Sequence, residues 1–83
     1  MREFTPAQVR VFRLIYLPNK EIAARLRINL RTVEWHIDRM LMRSKTDTRT
    51  ALALWGLVAG YDIDWALLDL ISGEYAWMNI GES

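Results

Sequence analysis

The 83-residue chain has no cysteine, one histidine, two prolines and four glycines. Without cysteine it has neither disulfide staples nor thiolate metal sites, and His36 alone cannot assemble a metal site. It has no His/Asp/Glu metal cluster, no glycine-rich phosphate loop, and no serine or cysteine with a base at a useful spacing. Neither an enzyme nor a cofactor or metal is expected. No apolar run approaches the ~20 residues of a membrane span, and Met-Arg-Glu-Phe-Thr-Pro at the start has no apolar signal core. The chain therefore reads as cytoplasmic, with no membrane partner.

Bases are absent from the last third. All eleven Lys and Arg residues lie at or before Arg49. Residues 1–60 carry five acids (Glu3, Glu21, Glu34, Asp38, Asp47) and a net charge of +6, whereas residues 61–83 carry Asp62, Asp64, Asp69, Glu74 and Glu82 and net −5. The near-neutral total of +1 thus conceals a basic body and an acidic end. Hydrophobic residues make up 52%, enough for one compact core, yet a domain this small is marginal and relies on burial or self-association.

No stretch alternates as a strand does, so the chain is expected to be all-α. Thr5-Pro6-Ala7-Gln8 predicts a first helix with an N-cap, a proline at its first position and a capping-box partner, ending near Tyr16 before Pro18. A second helix is predicted over residues 19–26 and a third over 29–43, opened by Asn29 as N-cap. A fourth runs from Asp47 or Thr48 to Ala59 and stops at Gly60. Ile22, Ala23 and Leu26 fall on one face, Val33, Ile37 and Met40 on another, with Ile28 between them. Two apolar faces meeting across a turn of about three residues are what a helix-turn-helix requires. The second helix of such a pair reaches base edges and phosphates, and here it displays Arg31 and Thr32 in its first turn and Arg39 two turns on.

These residues resemble the LuxR-type (GerE-like) helix-turn-helix domains of bacterial transcription regulators. The resemblance rests on Asn19-Lys20-Glu21-Ile22-Ala23, then Leu26, Ile28, Asn29, Thr32-Val33, His36, Met40, Arg43 and Thr48-Arg49, and reaches back to Phe4-Thr5. The chain departs from the family pattern at Gln8, where Glu is usual. It departs also in a shorter first connection (Tyr16-Leu17-Pro18) and at Ser44-Lys45, where Leu-Gly is common. The resemblance implies a four-helix domain in residues 1–60 that binds double-stranded DNA, followed by an acidic, aromatic C-terminal helical extension, residues 61–83. It also implies phosphate contacts by Lys20, Thr32 and Arg43. Arg31, Glu34, Trp35 and Asp38 are candidates for base edges, and Arg31 or Arg39 suits guanine. Asn29 belongs to the same site as the cap of the reading helix. His36 is expected to pack or touch a phosphate, and Trp35 to stack on sugar or thymine methyl, or to meet a protein. Glu34 and Asp38 can accept from a cytosine amino group but repel phosphate.

In the family the fourth helix pairs protomers, which here implicates Ala51, Leu54, Trp55 and Val58 in a homodimer. Beyond Gly60, Asp64 is expected to cap a fifth helix ending at Gly73, with Trp65, Leu68 and Ile71 on one face, followed by Tyr75, Trp77, Met78 and Ile80. Trp65 and Leu68 join the candidate dimer or partner surface. Four roles for this end are open: folding back on helices 1 and 4, self-association, capture of a partner, or covering the basic face. Two functions follow. One is a small stand-alone DNA-binding transcription regulator; the other is an adaptor or antagonist of another regulator or of RNA polymerase.

Overall fold

The computed structural model describes residues 3–72. Four helices, α1 (Pro6–Arg13), α2 (Asn19–Leu26), α3 (Leu30–Ser44) and α4 (Arg49–Val58), are followed by α5 over residues 65–72. The described residues are all-α, as the sequence pattern predicts. Val33, Ile37 and Met40 of α3 and Ile22 of α2 are buried against Val11 and Phe12 of α1 and Leu52 of α4, which form the centre of the core.

Each start follows its cap. The Thr5 hydroxyl accepts from Gln8 N at 3.2 Å while Gln8 Oε1 accepts from Thr5 N at 3.0 Å. Gln8 is buried, so an uncharged amide fills the capping box without desolvating a carboxylate. Asn29 caps α3, Thr48 caps α4, and Asp64 Oδ1 accepts from Leu67 N at 3.0 Å at the start of α5. The expected end of α5 at Gly73, and the apolar residues Tyr75, Trp77, Met78 and Ile80, lie outside the described residues.

α2, α3 and α4 end on one hydrogen-bond pattern. Ile28 N donates to Ala23 O, Thr46 N to Leu41 O and Tyr61 N to Gly56 O, each spanning five residues, with a shorter bond nested inside. The pattern needs a left-handed residue just past the helix, a place that favours glycine. Gly60 supplies it at φ +104°, but Arg27 (φ 56°) and Lys45 (φ 57°) occupy it after α2 and α3. Their cations stand at helix C-termini, where the dipole favours positive charge and offsets part of the backbone cost.

α1 is shorter than its predicted reach to Tyr16. After Arg13 the chain tightens into three-residue bonds, Leu14 N to Val11 O, Ile15 N to Phe12 O and Leu17 N to Leu14 O. This compact connection is held by Arg49, whose Nη2 donates to Ile15 O at 2.9 Å and Leu17 O at 2.7 Å, and whose Nη1 donates to Asn19 Oδ1. Burial disfavours its charge and lowers its pKa from the ordinary arginine value. At the far end of α4, Gly56 lies against the Phe12 ring so closely that a Cβ there would sit 2.3 Å from two ring carbons.

Packing continues past Gly60. The Phe4 ring stacks on Tyr61 at 4.6 Å and lies 5.5 Å from Trp55, and Phe4 N donates to the Tyr61 hydroxyl at 2.8 Å. Asp64 N donates to Arg13 O, and the Tyr16 hydroxyl donates to Asp64 O, both at 2.8 Å. Burial first, then the nearby Asp64, raises the Tyr16 pKa, so the phenol remains a donor through neutral pH. Ile63 is buried, and Leu67, Leu68 and Ile71 pack against the core. Residues 61–72 thus fold back on the N-terminal segment and α1, so the change in composition at residue 60 is not a break in packing. Trp65, expected on the same face as Leu68 and Ile71, instead opens α5 on the exposed side. There its indole N–H donates to Asp62 Oδ1.

Two substitutions test this frame. Gly56→Ala should destabilise the fold by about 1–3 kcal/mol in urea unfolding, because the ring of Phe12 must shift to admit the methyl. Arg49→Met should cost about 2–3 kcal/mol in the same measurement by stripping a charged donor from two main-chain carbonyls and an amide oxygen. Stability unchanged by Arg49→Met would show that the turn holds itself.

Candidate nucleic-acid interface

α3 presents the candidate site. Asn29 Oδ1 accepts from Arg31 N at 2.8 Å, fixing the entry of the helix and leaving its first turn open to solvent. Val33, Ile37, Met40 and Ser44 are its buried side. At 3.6 residues per turn, the opposite arc carries Arg31, Trp35, Asp38 and Met42 along its middle, with Glu34 and Arg39 to either side. Trp35 is 54% exposed and Met42 72% exposed. The guanidinium carbon of Arg39 rests over the Trp35 ring, 5.3 Å from its centroid. Asn29, Arg31, Thr32 and Trp35 surround an open concavity of about 510 Å³ beside that ring.

Of the candidate DNA-binding residues, Asn29, Arg31, Thr32, Trp35 and Arg39 are therefore brought together. Glu34 is exposed on the same arc. His36 turns aside: half-buried, it lines a cleft of about 310 Å³ with Ala7, Arg10, Leu26, Ile28 and Thr32. Its buried Nδ1 finds no partner among the described residues. Arg43 donates from Nη1 to the carbonyl of Glu3, so it ties α3 to the N-terminal segment. Lys20 is exposed in the first turn of α2, away from the Trp35 cluster in sequence but at the opening helix of the helix-turn-helix.

On α4, Leu54 and Val58, four residues apart, are 60% and 90% exposed. Ala51 is half-buried on the same side one turn earlier. Trp55 and Leu68, assigned to the same contact surface from sequence, are partly buried against the core instead. Trp65 remains exposed at 52%.

The sequence places Arg49 only within the family motif and gives no sign of the places of Gly56, Arg10 and Met42. Arg49 had a usable signal, since a base at the first position of a helix opposes the dipole and requires another purpose. Among the described residues, no helix is long and apolar enough to cross a membrane, and no three His, Cys, Asp or Glu side chains gather into a metal site.

Residues 2–55 match the family model described as bacterial regulatory proteins, luxR family. The chain is 38% identical over 60 residues to Response regulator Rre1 of Synechocystis sp., an overlap covering 70% of this chain and 26% of that protein. It is 39% identical over 56 residues to Probable transcriptional regulator ycf29 of Cyanophora paradoxa, covering 65% and 27%. The chain thus spans about a quarter of the length of the curated relatives it matches. No solved structure matches it. With the helix-turn-helix in place and a family match across α1 to α3 and into α4, the chain belongs to the luxR family of bacterial regulatory proteins.

Proposed function

We propose that this chain is a cytoplasmic DNA-binding transcription regulator that lays the exposed arc of α3 in the major groove. The observation that carries this reading is the cluster of Asn29, Arg31, Thr32, Trp35 and Arg39 around the open N-terminal half of α3. That is the end of a recognition helix that addresses bases. Lys20 and Thr32 supply phosphate contacts, which fix register without reading sequence, and Arg43 adds one where it leaves the Glu3 carbonyl. Arg31 is the base reader at the start of the helix, with Glu34 and Asp38 selecting cytosine amino groups. A response regulator and a probable transcriptional regulator among its relatives support the same reading.

The protein acts as a homodimer through Ala51, Leu54 and Val58. These line one exposed stripe of α4, and paired protomers present two recognition helices to half-sites about one helical turn apart. A second reading, a protein-binding adaptor or antagonist, is favoured by Glu34 and Asp38 on α3 and by the exposed Trp35 and Met42. On that reading the surface captures another regulator or the transcription machinery.

Selection from a randomised duplex pool at about 0.1 M salt should enrich a two-fold symmetric site. On that site Lys20→Ala should weaken binding to all sequences and lower the salt slope by about 1, while Arg31→Ala should cost about 1–3 kcal/mol and relax preference at one base pair. No enrichment from folded protein would move the assignment to the adaptor. Val58→Asp should convert a sedimenting dimer to monomer with the fold intact; a wild-type chain that sediments as a monomer, with or without DNA, removes the dimer.

A further inference from the structure

Resting on that DNA-binding reading, we propose that Trp35 and Arg39 act as one stacked unit that reads a thymine beside a guanine in the major groove. Trp35 lies at the crest of the exposed arc of α3, on the side opposite Val33, Ile37 and Met40, and contributes nothing to the core. One face of its ring is covered by the Arg39 guanidinium, whose carbon is 5.3 Å from the ring centroid, while the ring also borders the concavity shared with Asn29, Arg31 and Thr32. The indole is therefore braced by Arg39, with the His36 ring 5.3 Å away and tilted by 58°, and it keeps an edge on the open concavity.

The chemistry of each member selects its target. In the major groove the C5-methyl of thymine is the apolar feature of the base edges, so it is what an indole rim can bury. Guanine offers the paired O6 and N7 acceptors that match the donor fork of an arginine. An arginine on its own is a flexible chain, but one seated on a ring face has its fork partly oriented before it meets a base. The two groups are 5.3 Å apart, less than two steps of about 3.4 Å each along a strand, so they address neighbouring bases. Glu34 and Asp38 lie beside Trp35 on the side away from Arg39 and disfavour a phosphate there, directing the unit to the groove floor.

The test uses the full chain and the duplex recovered by selection. The enriched site should contain a thymine next to a guanine. Replacing that thymine by deoxyuridine, which removes only the methyl, should weaken binding about fourfold. Replacing the guanine by 7-deazaguanine should weaken it about tenfold. Trp35→Ala should abolish the uridine effect, and Trp35→Phe should keep part of it. Arg39→Met, which removes every donor, should abolish the deazaguanine effect. Circular dichroism should match the parent for all three variants, since both side chains are exposed. Equal affinity for thymine and uracil at every position, or discrimination that survives Trp35→Ala, overturns the proposal while leaving DNA binding in place. A folded chain that binds no duplex overturns both.

Discussion

Arg49 is the interaction on which the arrangement of helices depends. It stands at the first position of α4, where the helix dipole opposes it, and its guanidinium is partly desolvated. Those costs are offset because the same group closes the short α1–α2 connection through Ile15 O, Leu17 O and the Asn19 side chain. Gly56 makes the second fixed point, letting α4 approach Phe12 two turns further along. With α4 held at its start to the α1–α2 connection and further along to Phe12 of α1, α3 is seated by its buried side.

That seating separates two kinds of side chain on α3. The apolar stripe is committed to the core, so everything on the other arc is available for a partner: two arginines, two acids, an indole and a thioether. The stacked Trp35–Arg39 pair gives this otherwise mixed surface a centre. The N-terminal concavity adds the hydroxyl of Thr32 and the capped turn at Asn29. Residues 61–64 reinforce the frame through Phe4, Arg13 and Tyr16, while the Asp62 and Asp64 carboxylates accept from Ile63 N, Trp65 Nε1 and Leu67 N of their own segment.

Helices were legible in the sequence wherever a cap and a 3.6-residue apolar period coincided, as at Thr5-Pro6-Ala7-Gln8 and at Asn29 with Val33, Ile37 and Met40. Gly60 marked the end of α4. The ends of α2 and α3 carried no glycine, because Arg27 and Lys45 take the left-handed position themselves, and composition gives no warning of that. The inward turn of Trp55 was equally hidden: it depends on Phe4, 51 residues earlier, and on the stacking of Tyr61. Within the site, spacing placed Arg31, Trp35 and Arg39 on one side of a helix. Whether Arg39 lay on the indole was a matter of rotamer, which spacing does not set.

The central claim is that the exposed arc of α3 meets DNA. The most direct measurement is titration of the selected duplex into isotope-labelled protein while backbone amide resonances are followed by NMR. The account predicts the largest shifts at Lys20 and from Asn29 through Arg39. Shifts confined to α4 and residues 61–72, or no shifts in a folded chain at saturating duplex, would contradict it.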